Sequence, residues 1–445
     1  MSELFEPVDD HDWRLAQAAD GLLRAFNEAG VLTSSDVHVA ARLGALGDED
    51  DQRVLLAVAL AVRAVRRGSV CLDLATVAAT APDLAWPEPA DWVAAIEASP
   101  LVAAGVVRWE HDLLYLDRYH RLETQVHDDL AARLALAPPE VDEERLVAAL
   151  AQVRGGHFSP EQEAAVVAAV HRRTTILTGG PGTGKTTTVA RLLALLADQA
   201  GGRLTVALAA PTGKAATRLQ EAVTTELAEV ATVWPEAPEL MGRLDGLTLH
   251  RLLGWRPDNA TRFRHDRSNR LKYDVVVVDE SSMVELTMMG RLLEALRPGS
   301  RLVLVGDPRQ LTSVGAGAVL SDLVAGYADR PDSPVSALTE NFRSEEDIKS
   351  LAVALRDGDA DEVLRVLRAP SEQVSFVEAA DEAEIEAALR PDSVAAARAV
   401  WQAAAAEDPA TALAALDRYR LLCAHREGPY GVRRWNHLVE RWLAE

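Results

Sequence analysis

The chain has 445 residues, of which 48% are apolar and 5% aromatic, and a formal net charge of −22. That length predicts several domains with ample core, and the two cysteines, Cys71 and Cys423, are too few for a disulfide framework and point to a reducing cytoplasm. The amino terminus carries no signal-peptide pattern, and the longest apolar run, Val54 to Val62, is too short to span a bilayer. The acidic total argues against DNA binding by the whole surface but permits a local basic channel.

Residues 1–140 read as an Ala/Leu-rich helical unit. Leu55, Leu56, Val58, Ala59, Val62 and Val65 recur at helical spacing and run into Arg63, Arg66 and Arg67 before Gly68. Val106–Trp109 and Leu113–Leu116, a turn apart, predict a small hairpin. Ala137-Pro138-Pro139-Glu140 predicts a linker.

From about 146 the pattern alternates. Strands are predicted at Thr175–Thr178, Leu204–Ala209, Val275–Val278 and Leu302–Val305, apolar at successive positions as parallel strands covered on both faces require. Helices between them make this an α/β fold with a parallel sheet and right-handed crossovers over 146–335. A new section begins at 336. Its stretch 371–417 is rich in Ala, Asp and Glu and helical in pattern, and Leu421-Leu422-Cys423-Ala424 predicts one further buried strand.

The first predicted strand runs into Gly179-Gly180-Pro181-Gly182-Thr183-Gly184-Lys185-Thr186 and then into a helical pattern. Strand, glycine loop and helix are the setting of a phosphate-binding loop, whose backbone N–H groups point at a triphosphate. Lys185 supplies charge near the β- and γ-phosphates, and the Thr186 hydroxyl can hold Mg²⁺. The ligand expected from this pattern is a nucleoside triphosphate. The strand Val275–Val278 ends in Asp279-Glu280. Asp279 can hold the same Mg²⁺ through its water shell, and Glu280 can deprotonate the attacking water. In Gly306-Asp307-Pro308-Arg309-Gln310-Leu311, the Gln310 amide can hydrogen-bond a γ-phosphate or its water.

The loop Pro211-Thr212-Gly213-Lys214 offers an N–H, a hydroxyl and an ammonium to phosphates, and Thr248 and His250 can do likewise. These are candidate contacts to nucleic-acid phosphates. The stretch Arg262, Arg264, His265, Arg267, Arg270 and Lys272 is a basic run that reads equally as a solvated loop. No interleaved aromatics mark a base-stacking platform.

Taken in order, these segments, with Phe158-Ser159-Pro160-Glu161-Gln162, Ala210–Ala216, Thr248–Gly254 and Asn341-Phe342-Arg343-Ser344, resemble superfamily 1 DNA helicases. Asp279-Glu280-Ser281-Ser282-Met283, Pro211–Ala216 and Gln310–Gly317 resemble the RecD family, alpha subunits of RecBCD-type exodeoxyribonuclease V complexes. Arg66–Leu74 is similar to a stretch of that family's amino-terminal domain, and Arg420–Ala424 and Arg426–Gly431 to the opening of its second motor domain.

The resemblance implies a RecA-like motor at 146–335, a partner-docking helical domain at 1–140 and the start of an incomplete second RecA-like domain at 336–445. It implies that Gln162 reads the adenine edge, that Thr187 supports the α-phosphate, and that Arg343 is an arginine finger. It implies a 5′-to-3′ ATP-dependent DNA helicase subunit acting on single-stranded DNA with RecB-like and RecC-like subunits, in double-strand-break repair. Two blocks expected near the family's carboxyl end, a Thr/Val-His-Lys-Ser-Gln-Gly-like loop and an Ala-Val-Thr-Arg-Ala-Arg-like element, do not occur in 345–445. That leaves open an ATP-binding regulatory or assembly subunit without translocation; a stand-alone RecD-like helicase is a third reading, disfavoured by the similarity of Arg66–Leu74 to the amino-terminal domain of the complexed form.

Overall fold

The computed structural model describes residues 4–154, 158–201, 204–234, 244–256, 259–310, 315–342 and 346–445. Two compact units result, 1–343 and 344–445.

The first 134 residues are mainly helical around a core that includes Phe26, Leu56, Leu60, Trp92 and Ile96. Helix Gln52–Arg66 carries most of it, since its apolar residues cover more than one face. Arg66 reaches from the end of that helix to Asp36, at 2.6 Å, and Asp36 is fully buried. Three short strands follow: β1 (Cys71–Asp73), β2 (Val107–Glu110) and β3 (Leu113–Leu116). β2 and β3 form the expected hairpin, turning through His111 and Asp112, both at positive φ, the geometry that suits a two-residue antiparallel turn. β1 adds to β3 antiparallel, Leu72 opposite Leu114.

The second sheet is made of β4 (Thr174–Gly179), β5 (Val206–Ala210), β6 (Gly246–Thr248), β9 (Val275–Val278), β10 (Arg301–Gly306) and β11 (Val335–Leu338). Between β6 and β9, β7 (Trp255–Arg256) and β8 (Asn259–Phe263) form a separate antiparallel ribbon. The six strands are parallel and lie in the order β11-β4-β10-β9-β5-β6. Alternate residues enter opposite cores. Leu177, Val275, Val277, Val303 and Val305 face helices Glu143–Val153, Pro160–Val170, Lys185–Ala200 and Gly213–Val233. Ile176, Val276, Val278, Leu302 and Leu304 face helix Leu286–Ala295 and the long helix Asp117–Leu134. Both faces are thus covered, which is why the four inner strands read as continuous apolar runs.

Helix Asp117–Leu134 joins the amino-terminal region to this sheet. Leu122, Val126 and Leu130 pack into the second core, and buried Arg133 donates to the carbonyl oxygens of Ser300 (2.7 Å) and Arg297 (3.1 Å) just before β10. Burial pushes the Arg133 guanidinium down to about 10, with Arg173 and Arg270 adding to the effect.

The sequence boundary at 335/336 falls inside β11, which pairs with β4 through Val335–Ile176 to Leu338–Gly179. A second correction concerns Leu421–Ala424, which is not a strand. Leu422 is 86% exposed, and the described residues of 344–445 contain helices and no strand. An isolated strand has no partner for its backbone N–H and C=O groups, so apolar composition alone does not make one. The unit is helical instead. Trp435, Leu438 and Trp442 of helix Val432–Ala444 pack with Ile385, Leu389 and Val394 of helix Glu382–Ala405. No sheet of an opening RecA-like domain is present in its described residues. Among the described residues no helix is long and apolar enough to cross a membrane.

Candidate nucleotide-binding site

The strand order fixes where a ligand can sit. β4 connects toward β5 on one side of the sheet, whereas the chain after its neighbour β10 goes to β11 on the other side of β4. Adjacent parallel strands whose connections diverge leave a crevice at their carboxyl ends. The loop Gly180–Gly184 follows β4, Asp307–Gln310 follows β10, and Asp279-Glu280 follows β9. All border one cavity of about 540 Å³.

Gly182 and Gly184 take φ of 80° and 77°, the left-handed region that favours glycine, and Gly184 caps helix Lys185–Ala200. The loop is braced by its own groups. Thr183 donates from its hydroxyl to the Gly180 carbonyl (3.0 Å), and the Lys185 ammonium donates to the carbonyls of Gly179 (2.6 Å) and Gly180 (2.9 Å). Pro181, Thr186 and Thr187 also line the cavity.

Gln162 is buried beside this loop. It forms a capping box with Ser159 at the start of helix Pro160–Val170, and its amide Nε2 donates to the Thr183 carbonyl at 3.2 Å. It therefore holds the phosphate loop as well as lining the cavity. Thr187 donates its hydroxyl to Glu226 Oε1 at 2.7 Å.

Burial raises the Asp279 carboxyl above its usual range, opposed by a hydrogen bond from the Glu280 N–H and by the Lys185 charge. Glu280 is also raised, chiefly by burial and then by the charge of Asp279, against the opposing charge of Lys185. Its backbone sits at φ 52°, an unusual place for a non-glycine residue and one that re-aims the chain at the strand end. Gln310 is exposed at the cavity rim. Arg343 lies outside the described residues, but Phe342 borders the cavity and its N–H donates to the Gly182 carbonyl at 3.0 Å. Glu161 braces the same segment, accepting from Thr339 N and Oγ1 (both 2.8 Å) and from Glu340 N (3.2 Å).

A model of the AAA domain matches residues 162–316, and a model of the RecBCD enzyme subunit RecD, N-terminal domain, matches residues 28–115. RecBCD enzyme subunit RecD of Mycobacterium tuberculosis is 52% identical over 443 residues, which cover 98% of this chain and 74% of that protein. The chain belongs to the RecD family. The RecD subunit of Mycolicibacterium smegmatis is 54% identical over 431 residues, covering 95% of this chain and 74% of that protein. The ATP-dependent RecD2 DNA helicase of Deinococcus radiodurans is 36% identical over 245 residues, covering 55% of this chain and 30% of that one. The AAA match of this RecD-family chain runs from Gln162 through the phosphate loop, Asp279-Glu280 and Gln310, and so takes in most of the residues that line the cavity.

The two segments proposed for DNA are neighbours in space. Ala210, before Pro211–Lys214, pairs in register with Thr248, so both segments emerge at the carboxyl ends of β5 and β6, at the edge of the RecD-family sheet. Thr212 caps helix Gly213–Val233 by accepting from Ala215 N (3.3 Å), and Thr248 caps Leu249–Leu253 by accepting from Arg251 N (3.2 Å). His250 stands edge-on to Phe263, 5.8 Å between centroids. Part of the basic run is structural: Arg267 pairs with Asp129 at 2.8 Å, and Arg270 donates to the Leu296 carbonyl.

Sequence reasoning missed several residues of the cavity. Asp307 and Phe342 lie inside motifs visible in the sequence, Gly306–Leu311 and Asn341–Ser344. Arg191, Ala222, Glu226 and Glu229 carry no local signal, because they enter the cavity only through helix packing.

Proposed function

We propose that the chain is the ATP-hydrolysing motor of a RecD-type 5′-to-3′ DNA helicase, acting with RecB-like and RecC-like subunits on single-stranded DNA during double-strand-break processing. The observation that carries this reading is the convergence of Lys185, Asp279, Glu280 and Gln310 on one cavity at the divergence point of the sheet. The resemblance supplies the polarity and the partners.

In this reading the N–H groups of Gly182–Lys185 and the Lys185 ammonium bind the β- and γ-phosphates, for which Lys185 exchanges its present carbonyl partners. Glu280 accepts a proton from the attacking water, and Gln310 orients that water or the γ-phosphate. Arg343 neutralises charge developing on the transferred group. The Thr186 hydroxyl and the Asp279 carboxylate line the same cavity, and a partly buried carboxylate raised by desolvation gains from a counter-charge. This oxygen donor set fits Mg²⁺, which binds through one or two protein oxygens together with substrate phosphates. When bound, that ion supplies electrostatic stabilisation of the phosphate oxygens. Pro211–Lys214, Thr248 and His250 hold the DNA backbone, away from the crevice between β4 and β10.

The test is DNA-stimulated ATP hydrolysis and strand unwinding by the chain with its RecB-like and RecC-like partners. Lys185→Ala is expected to abolish hydrolysis. Hydrolysis at the unaltered rate in that variant, or no single-stranded DNA binding by the assembled complex, would overturn the reading.

A further inference from the structure

A carboxylate inside a triphosphate site needs a reason to be there. Asp279 and Glu280 have one, since they stand at strand ends where a cation and a water nucleophile are handled. Glu226 does not come from a strand end. It projects from helix Gly213–Val233, is one-quarter exposed, and lines the same cavity as Lys185 and Thr187. Facing a phosphate it would be repelled. It therefore suits the part of a nucleotide that carries hydrogen-bond donors and no charge.

Its surroundings agree with that use. Glu226 Oε1 accepts from the Thr187 hydroxyl at 2.7 Å, and Oε2 lies 3.6 Å from Nη1 of Arg191. Arg191 is held in turn by the Phe158 ring, 4.8 Å from its centroid, and by the Val153 carbonyl, to which its Nε donates at 3.2 Å. The carboxylate is thus fixed in direction, while an ionised carboxylate has about four lone-pair sites and accepts at more than two of them. Thr187 follows Thr186 in the first turn of the helix after the phosphate loop, so a nucleotide with its phosphates on that loop would bring its phosphate-to-sugar end next to Glu226. A vicinal diol matches a carboxylate, as in dinucleotide sites that use an acidic residue for the ribose hydroxyl.

We propose that Glu226 accepts hydrogen bonds from the ribose hydroxyls of the bound nucleotide, with Arg191 and Thr187 as its positioning partners, and so selects ribonucleotides over deoxyribonucleotides. The proposal rests on the nucleotide-site reading above. Nothing in the local sequence marks Glu226, which lies in an ordinary helical pattern.

The test uses equilibrium binding of ATP, 2′-deoxy-ATP and 2′,3′-dideoxy-ATP, each with Mg²⁺, to the full 445-residue chain and to Glu226→Gln and Glu226→Ala. A charge-assisted hydrogen bond corresponds to roughly tenfold or more in affinity. The unaltered chain is expected to bind ATP about tenfold more tightly than the dideoxy analogue. Glu226→Ala should bring the two affinities together by weakening ATP while leaving the dideoxy analogue unchanged or tighter. Glu226→Gln, which keeps size and one acceptor, should fall between. Melting curves establish that each variant is folded, and if Glu226→Ala is not, the Gln variant decides. An ATP-to-dideoxy ratio that is the same in all three proteins overturns the role of Glu226 while leaving the nucleotide site standing. No binding of any nucleotide by the unaltered chain overturns both.

Discussion

The backbone N–H of Phe342 donates to the carbonyl of Gly182 at 3.0 Å, tying the segment after β11 to the middle of the phosphate loop. The Glu161 carboxylate, from the helix that also carries Gln162, holds Thr339 and Glu340 in the same segment. Arg343→Ala is expected to keep nucleotide affinity within about threefold and to lower the DNA-stimulated hydrolysis rate roughly a thousandfold or more, the usual effect of losing such an arginine. Separate measurement of nucleotide Kd and of kcat checks this. Equal losses in both would mean that Arg343 binds the ground state and is not a transition-state group.

Gly184 gives a sharper test of the loop. At φ 77° an alanine there is strained, and its Cβ meets the Gln162 amide that braces Thr183. Gly184→Ala is expected to cost about 1–3 kcal/mol of stability and at least about tenfold in nucleotide affinity. Thermal unfolding and titration with ATP measure the two effects. An unaltered melting temperature would show that the loop adapts without strain.

The inner strands were legible because both of their faces are buried. Val275–Val278 is apolar at every position, and its structural limits match the sequence reading. Edge strands were not legible. Gly246–Thr248 is short and only partly buried, and Val335–Leu338 carries Ser336 and an exposed Ala337, so neither shows the apolar run on which the reading relied. Leu421–Ala424 failed for the opposite reason, being apolar enough but lacking a neighbouring strand. At the site, residues within the phosphate loop and at strand ends were readable, since local chain geometry alone places them. Glu226 was hidden because only the packing of two helices brings it to Thr187.

The proposed role of Glu280 ties activity to pH. Burial and the neighbouring Asp279 raise its carboxyl above the ordinary 4.5, so the folded chain holds this proton more tightly than the unfolded chain. Stability from this group is present below pH 4.5 and is lost as pH rises through the raised folded value. Glu280→Gln is therefore expected to raise the melting temperature at neutral pH, with the gain vanishing below pH 4.5. With Glu280 as the proton acceptor proposed above, hydrolysis should fall about 10²–10⁴-fold in the same variant. In the unaltered chain the rate should decline as pH falls through the raised value. Melting curves and rates across pH check both signs. A Gln variant less stable than the unaltered chain at neutral pH would contradict the burial argument.

Arg133 fastens the amino-terminal region to the parallel sheet. Its guanidinium leaves helix Asp117–Leu134 and donates to Ser300 and Arg297 carbonyls at the entry to β10, with 6% of the residue exposed. Such a charge is costly to bury, and burial indeed pushes it down to about 10, yet removing it takes the side-chain donor from the buried Ser300 carbonyl and leaves the Arg297 carbonyl with the Ser300 N–H. Arg133→Met keeps much of the apolar volume and removes the donors. It is expected to destabilise the chain by about 2–4 kcal/mol. Denaturant unfolding followed by tryptophan fluorescence measures this, as Trp92 lies in the amino-terminal core. The same loss should increase amide hydrogen exchange in β10 and in helix Asp117–Leu134 together, because one side chain joins them. Faster exchange in the helix alone would show that the packing of Leu122, Val126 and Leu130, and not Arg133, holds the two regions together.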